Sequence, residues 1–191
     1  MTLQGLERLM TDKSKVYKII DIGCGGGDTL LAIHHWAAAK GYKVELTGVD
    51  LLKDAIHYAS VRCAEIENLE LIQSDFEKLP RWDNEYDISI CSLFCHHLYG
   101  ETLEALIVTM KRIARVGVVI NDLQRHPLAY YSIAILTRIL SKSTYVRHDA
   151  PLSVLRGFSR EELSDLLRRC GIDQHSIEWK WAFRYLIVIR N

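Results

Sequence analysis

The sequence predicts an α/β fold: a doubly wound, mainly parallel sheet of seven strands. Short apolar runs rich in β-branched residues alternate along the chain with longer segments of helical periodicity. Two closely spaced apolar runs at the end can pair as an antiparallel hairpin. The 191 residues contain no repeat and no low-complexity linker, so a single domain spanning residues 1–191 is expected.

The most informative stretch is the first strand with the turn that follows it. Residues 16–20 are an apolar run too short for a helix, the pattern breaks at Asp21 into a glycine cluster, and it resumes as the apolar start of a helix. Gly23 and Gly25 permit left-handed backbone and bring bare backbone close to a ligand. This turn is therefore expected to hold a ligand of nucleotide size.

The remaining elements follow in order from the same periodicities. A short amphipathic helix is predicted within residues 1–15, Gly41 and Gly171 are expected to end helices, and Ser159 with Glu162 forms a predicted capping box. Right-handed crossovers make the first five strands parallel. The other predicted helices are 28–40, 51–63, 101–112 and 161–169, and the other predicted strands are 42–49, 69–74, 86–91, 115–120, 176–181 and 183–189.

Charge around the turn separates two kinds of nucleotide ligand. In a dinucleotide fingerprint that begins at Gly23, the last small, neutral position falls on Asp28. Carboxylates at Asp21 and Asp28 would repel a pyrophosphate, whereas they suit a ligand that carries an ammonium and a sulfonium. The run Asp21-Ile-Gly23-Cys-Gly25-Gly-Gly27-Asp28 resembles motif I of the class I S-adenosylmethionine-dependent methyltransferases.

The resemblance covers about residues 16–120. It implies the strand order 3-2-1-4-5-7-6 with the last strand antiparallel, S-adenosyl-L-methionine as the cofactor and S-adenosyl-L-homocysteine as the product. The nearest type is the quinone-biosynthesis methyltransferases, through Tyr86-Asp-Ile-Ser-Ile-Cys-Ser-Leu-Phe-Cys-His-His-Leu98.

Acidic residues stand at the ends of the first three strands, where ligands of open parallel sheets bind. Asp50 is expected to accept both ribose hydroxyls, and Asp75 with the backbone N–H of Phe76 is expected to meet the adenine edge above Leu51. Each acid also has a simpler interpretation as a helix N-cap. The predicted cofactor-binding residues are Asp21, Gly23, Cys24, Gly25, Asp28, Asp50, Leu51, Asp75, Phe76 and Ser92.

Beyond the fifth strand, residues 122–158 form a predicted helical lid insertion, which emerges on the active-site side of the sheet. Its apolar character indicates an apolar acceptor, with ordinary core packing or a homodimer contact as the alternatives. The stretches His126-Pro-Leu-Ala-Tyr-Tyr131 and Arg147-His-Asp149 resemble a bacterial subgroup of these methyltransferases that is associated with aromatic or polyketide-like compounds.

An oxygen acceptor needs a base, and the ordinary pKa of histidine suits that role. His97 follows the fourth strand and His148 stands beside Asp149, which can orient it, so these two are the predicted catalytic residues. The residues predicted to bind the acceptor are His96, His126, Tyr130, Tyr131 and Arg147.

Composition argues against several other functions. Lys+Arg and Asp+Glu both number 24 and no basic run occurs, so no nucleic-acid partner is expected. The five cysteines are odd in number and suit a reduced, cytoplasmic protein, and no signal pattern or membrane span is expected. Cys91 and Cys95 precede two histidines, but no second ligand pair at zinc spacing follows, so no metal is expected.

These observations predict an S-adenosylmethionine-dependent methyltransferase acting on oxygen or carbon of a small aromatic or apolar molecule. Two alternatives stay open. An NAD-dependent oxidoreductase also places acids at strand ends for its ribose, and a non-catalytic scaffold can retain the cofactor site without turnover.

Overall fold

The computed structural model describes residues 1–79 and 83–191, except for the side chain of residue 145. Within these residues there are seven strands and seven α-helices. The strands are β1 Val16–Ile22, β2 Lys43–Asp50, β3 Leu69–Gln73, β4 Tyr86–Ser92, β5 Ala114–Leu123, β6 His175–Lys180 and β7 Arg184–Arg190. The helices are α1 Thr2–Leu9, α2 Asp28–Lys40, α3 Lys53–Arg62, α4 Gly100–Ile113, α5 Pro127–Leu140, α6 Thr144–Arg156 and α7 Arg160–Arg169.

The strands form one sheet in the order β3-β2-β1-β4-β5-β7-β6, which confirms the predicted order. Strands β1 to β5 pair in parallel, and β7 is antiparallel to both β5 and β6. The chain moves outward from β1 to β3 and then returns to place β4 on the other side of β1. This reversal opens a crevice at the carboxyl ends of β1 and β4, where open α/β sheets bind their ligands.

A hydrophobic core lies on each face of the sheet. On one face, Leu6 of α1 and Leu30 and Ile33 of α2 are fully buried against the strands. On the other face, Leu106 of α4 and Leu167 of α7 occupy the corresponding position. Because both faces are covered, the central strand β4 is buried along its length except at its last residue, including its polar residues Asp87 and Ser89.

Strand β5 is longer than the sequence indicated. It continues three residues beyond the predicted end at residue 120, because Asn121, Asp122 and Leu123 pair with residues of β7. Asp122, expected as the first residue of the lid insertion, therefore belongs to the sheet. Its backbone is held by antiparallel pairing with β7, a long-range contact that local sequence does not predict.

Helices α5 and α6 pack against each other in the segment that follows β5. We refer to residues 124–158 as the helical hairpin. Its base is closed where Phe158 N donates to Leu123 O and Arg125 N donates to Phe158 O, at 3.0 and 2.9 Å. Its turn is held by Arg147, whose guanidinium donates to the carbonyls of Ser141 and Arg138 at the end of α5.

Candidate active site

Asp50 and the glycine turn form a cradle at the carboxyl ends of β1 and β2. One oxygen of the Asp50 carboxylate accepts from Gly25 N and the other from Leu52 N, both at 2.9 Å. Each oxygen keeps a further lone pair, so the carboxylate can accept two hydroxyl donors. Gly25 has a φ of 53°, and a Cβ on it would meet no described atom within 4 Å. The cradle thus presents bare backbone and a fixed carboxylate to open space.

Phe94 closes the cradle on the side of β4. A Cβ built on Gly23 would lie 2.4 Å from the Phe94 ring, so only glycine permits this contact. The sequence analysis did not single out Phe94. The available signal was its position two residues after the end of β4, at the edge where the other site residues were expected.

Asp21 supplies an unpaired carboxyl group behind the cradle. Its side chain is buried, and its Oδ1 has no hydrogen-bond partner among the described residues. Burial first, and the negative charge of Asp50 second, raise the pKa of Asp21 to about 8. A buried acceptor without a partner costs about 1–3 kcal/mol, and a cationic ligand would offset that cost. This orphaned oxygen fits the cradle to a ligand that carries an ammonium or sulfonium.

The other predicted cofactor residues of the first three strand ends occupy different environments. Leu51 is 62% exposed beside Asp50, as a floor for a ligand requires. Asp75 accepts from Glu77 N at 3.1 Å, which realises the N-cap interpretation, while the Phe76 side chain is buried in the core and leaves only its backbone for a ligand.

Three further predicted residues are engaged by the protein itself. Cys24 is buried, and its backbone N donates to Val49 O. Asp28 has a side chain that is 75% exposed and forms an ion pair with Arg62 of α3 at 2.8 Å. Ser92 Oγ lies 2.8 Å from Oγ1 of Thr2, the first residue of α1. Their contact with the cofactor stays a prediction.

A second open space lies at the same edge of the sheet, enclosed by the helical hairpin and the β6–β7 turn. Its volume is about 850 Å³, within the range of small-molecule sites. The walls are mainly apolar. The lining residues are Leu93, His96, Leu123, Ala129, Ser132, Ile133, Leu136, Ala150, Ser153, Val154, Trp179, Trp181, Ala182, Phe183 and Arg184.

Three cavity-lining residues adopt left-handed backbone conformations that side-chain-bearing residues rarely take. The φ angles are 56° at Leu93, 64° at Ala182 and 55° at Phe183. Backbone hydrogen bonds hold two of them against β5 and the residue that follows it. Leu93 N donates to Asn121 O, and Gln124 N donates to Phe183 O, both at 2.8 Å. Such strain persists only where the surroundings fix it, and it is concentrated at functional sites.

His96, in the wall of this cavity, forms a buried pair with Asp122 behind it. Nδ1 of His96 lies 2.7 Å from Oδ1 of Asp122, and the His96 backbone N donates to Oδ2 at 3.3 Å. Both side chains are less than 5% exposed. Asp122 follows the rule that located Asp21, Asp50 and Asp75, because it stands near the carboxyl end of a parallel strand. From the sequence, Asp122 was expected in the lid insertion and not among the site residues.

The two predicted catalytic histidines lie in different environments, and neither lines the cavity. The His97 ring lies beside that of His96 at a tilt of 39°, with ring centroids 4.2 Å apart. Partial burial first, and the charge of His96 second, lower the pKa of His97. His148 has a side chain that is 80% exposed and lies 3.7 Å from Asp149. Neither is among the residues that line the cavity, whereas His96, predicted as an acceptor-binding residue, is.

The remaining predicted acceptor residues lie on the helical hairpin. His126 caps α5, since its Nδ1 accepts from Leu128 N at 3.2 Å, and its ring stacks on Phe183. Tyr131 is 63% exposed, and its ring meets that of Tyr130 edge-on. Arg147 is used in the turn of the hairpin, as described above. The structure does not bring these four residues together in the cavity wall.

The described residues contain no helix that is long and apolar enough to span a membrane. The same residues contain no cluster of three or more metal-ligating side chains. The Cys91 and Cys95 sulfurs lie 3.6 Å apart, and both residues are buried in the core.

Comparison with known proteins identifies the family. Residues 19–117 match the model of a methyltransferase domain. The chain is 30% identical over 169 residues to the tRNA N(3)-cytidine methyltransferase METTL2 of Gallus gallus, covering 84% of this chain and 44% of that protein. It is 32% identical over 83 residues to a demethylmenaquinone methyltransferase of Staphylococcus aureus, covering 42% of this chain and 33% of that protein. The chain thus spans less than half the length of these relatives.

Solved structures share the fold. A S-adenosylmethionine-dependent methyltransferase from Aquifex aeolicus superposes with a TM-score of 0.70 at 17% identity, covering 98% of this chain and 88% of the other. The plantazolicin methyltransferase BpumL, solved with S-adenosylhomocysteine, gives a TM-score of 0.72 at 18% identity, covering 100% and 81%. The family match also favours a methyltransferase over the alternative of an NAD-dependent oxidoreductase. With its Rossmann-like sheet, its glycine turn and its strand-end acids, the chain belongs to the class I S-adenosylmethionine-dependent methyltransferases.

Proposed function

We propose that the protein transfers a methyl group from S-adenosylmethionine to oxygen or carbon of a small aromatic or apolar molecule bound in the 850 Å³ cavity, with His96 as the base. The observation that carries this proposal is that His96, which lines a mainly apolar wall, forms a buried pair with Asp122. A buried histidine–aspartate pair would contribute little to a cavity wall that only packs. It does provide a base for an acceptor that must lose a proton before it is methylated.

The cradle would hold the cofactor through residues already in place. Asp50 accepts the ribose hydroxyls, Gly25 allows the close approach, and the unpaired Asp21 carboxyl faces the cationic portion. When bound, S-adenosylmethionine supplies an electrophilic methyl group, and the protein mainly positions and desolvates the acceptor.

Asp122 fixes the protonation pattern of the base. With the proton of Nδ1 directed to Asp122, Nε2 of His96 carries the lone pair and can remove a proton from the acceptor. The carboxylate then stabilises the imidazolium that forms, as in other histidine–acid pairs. The apolar walls exclude water and strengthen these interactions.

The similarity to a demethylmenaquinone methyltransferase supports an aromatic acceptor, since that protein's name specifies a quinone-type ring. A second candidate is a tRNA base, favoured by the 30% identity to the Gallus gallus tRNA methyltransferase. The zero net charge and the small number of polar groups in the cavity favour the small-molecule acceptor. We also propose a cytoplasmic location. The five cysteines are free thiols, which suits a reducing compartment.

The test is methyl transfer by wild-type protein and His96→Asn across a panel of phenols, quinols, 1,3-dicarbonyl compounds and unmodified tRNA. On an oxygen acceptor, His96→Asn is expected to lower turnover by about 10²–10⁴-fold while cofactor affinity, measured by calorimetry with S-adenosylhomocysteine, changes little. His97→Asn, which alters the neighbouring ring, is the matched control and is expected to retain most of the turnover.

Two outcomes contradict the proposal. Transfer to tRNA with no transfer to small molecules assigns the second candidate function. Cofactor binding without transfer to any member of the panel supports the non-catalytic scaffold instead.

A further inference from the structure

We infer that the outer face of the helical hairpin docks on an anionic lipid membrane surface. This inference concerns a binding surface and does not depend on the identity of the methyl acceptor. It starts from four apolar side chains on α5 that are exposed to solvent. Leu128, Tyr131, Ile135 and Ile139 are 63%, 63%, 60% and 73% exposed.

These four residues form one continuous stripe. Their spacing of three, four and four positions places them on one side of the helix, one turn apart. The residues of α5 that line the cavity, Ala129, Ser132, Ile133 and Leu136, occupy the adjacent side. The stripe is therefore a separate surface from the cavity wall.

Further exposed apolar side chains lie elsewhere on the helical hairpin, on β6 and in the β6–β7 turn. Leu140 at the end of α5 is 73% exposed, and Val146 and Leu155 of α6 are 45% and 49% exposed. Trp181 in the β6–β7 turn and Trp179 near the end of β6 both line the cavity and are 82% and 53% exposed. Tryptophan and tyrosine at the border of an apolar surface are typical of proteins that contact the headgroup region of a bilayer.

The charge of the helical hairpin identifies the partner. Residues 124–158 contain five Arg or Lys and one Asp, a net charge of +4 in a chain whose total is zero. Arg138 and Lys142 are exposed next to the stripe. Arg125 forms an ion pair with Glu162, which lies outside the hairpin. Among the described residues, the other four cations of the hairpin form no ion pair, and Asp149 lies near His148 instead. Apolar side chains flanked by cations suit a lipid bilayer, whose headgroups can be anionic and whose interior is apolar.

A second copy of the chain is a poorer fit. A two-fold dimer through this face would place the two +4 hairpins against each other. A nucleic acid would satisfy the cations but would leave the isoleucines without an apolar contact. The 14-residue α5 is shorter than a membrane span, so it would lie in the plane of the interface with its stripe inserted.

The test is vesicle flotation of the full chain. Wild-type protein is expected to float with vesicles containing phosphatidylglycerol and phosphatidylcholine, to stay unbound with phosphatidylcholine alone, and to be released by high salt. The double variant Arg138→Gln/Lys142→Gln is expected to weaken binding about thirtyfold, and Ile135→Ser/Ile139→Ser at least about tenfold.

The matched control is Val61→Ser/Val108→Ser, which removes two exposed apolar side chains from α3 and α4. It is expected to bind vesicles like the wild type. Circular dichroism and S-adenosylhomocysteine binding confirm that each variant is folded. Equal binding of wild type and both hairpin variants overturns the inference. A dimer in sedimentation that is lost in the Ile135/Ile139 variant, or binding of tRNA in place of vesicles, also overturns it.

Discussion

Two buried aspartates on neighbouring central strands show opposite uses of the same side chain. Asp87, near the amino end of β4, is fully buried, and its carboxylate accepts from Arg115 at 2.7 and 3.1 Å, from Lys15, and from Lys18 N at 3.0 Å. Asp21, near the carboxyl end of β1, is equally buried, but its Oδ1 has no partner among the described residues.

The pKa values of the two carboxyl groups diverge for a physical reason. Burial acts to raise both. For Asp87, the hydrogen bonds from Arg115, Lys15 and Lys18 outweigh burial and hold the pKa below its ordinary value. For Asp21, Asp50 adds to the effect of burial, and the pKa rises to about 8. The amino edge of the sheet therefore carries a satisfied, structural carboxylate, and the carboxyl edge carries one without a hydrogen-bond partner among the described residues, which is the group we propose for the cationic part of the cofactor.

The largest expected difference between the two aspartates is in how the free energy of unfolding depends on pH through Asp21. Below about pH 3.8, its ordinary pKa, the folded and unfolded chains both bind the proton. As pH rises, the unfolded chain releases it first, so the stability associated with protonated Asp21 is present at low pH and is lost as pH rises through about 8. The loss is on the order of 5 kcal/mol.

Asp21→Asn is therefore expected to unfold at higher urea concentration than the wild type at pH 8, without cofactor, and the difference is expected to shrink toward pH 4. Its affinity for S-adenosylhomocysteine is expected to fall. An Asp21→Asn variant whose stability follows the wild-type pH profile would show that Asp21 has a partner in solution.

The second effect is the loss of the satisfied carboxylate. Asp87→Ala is expected to lower the free energy of unfolding by about 3 kcal/mol, because it removes the buried charged acceptor of hydrogen bonds from Arg115, Lys15 and Lys18 N. Urea unfolding at pH 7 measures it. Cofactor affinity of the folded variant is expected to stay at the wild-type value, and a marked loss of affinity would mean that the two edges are coupled.

The smallest effect concerns cofactor affinity. Asp50→Ala is expected to weaken S-adenosylhomocysteine binding by more than about 1.5 kcal/mol, since it removes the acceptor held by Gly25 and Leu52. It is also expected to lower the pKa of Asp21 by removing a neighbouring negative charge. Asp54→Ala, an exposed acid in the first turn of α3, is the control for calorimetry. Equal affinity of the two variants would rule out Asp50 as a ribose acceptor.

Much of the fold was predictable because it depends on local patterns. Helix α7 with its capping box at Ser159 and Glu162 and the left-handed Gly41 after α2 were confirmed. The strand order, which the family resemblance implied, was confirmed as well. The position of Asp50 at the end of β2 was equally readable, since a strand end follows from periodicity. Contacts with the cofactor stay a prediction for each residue, although Asp21 and Asp50 have the environment that such contacts require.

The sequence by itself determined the strands and the glycine turn, because these rest on residue spacing and on the conformations that glycine allows, and its resemblance to a known family supplied the strand order. Only the tertiary structure decided which histidine faces the cavity. His96 and His97 are adjacent in sequence, but Asp122, 26 residues away, selects His96 because β7 extends β5 far enough to bring its carboxylate to the ring. The exposed position of His148 and the apolar outer stripe of α5 likewise depend on how the helical hairpin packs, which no local pattern specifies.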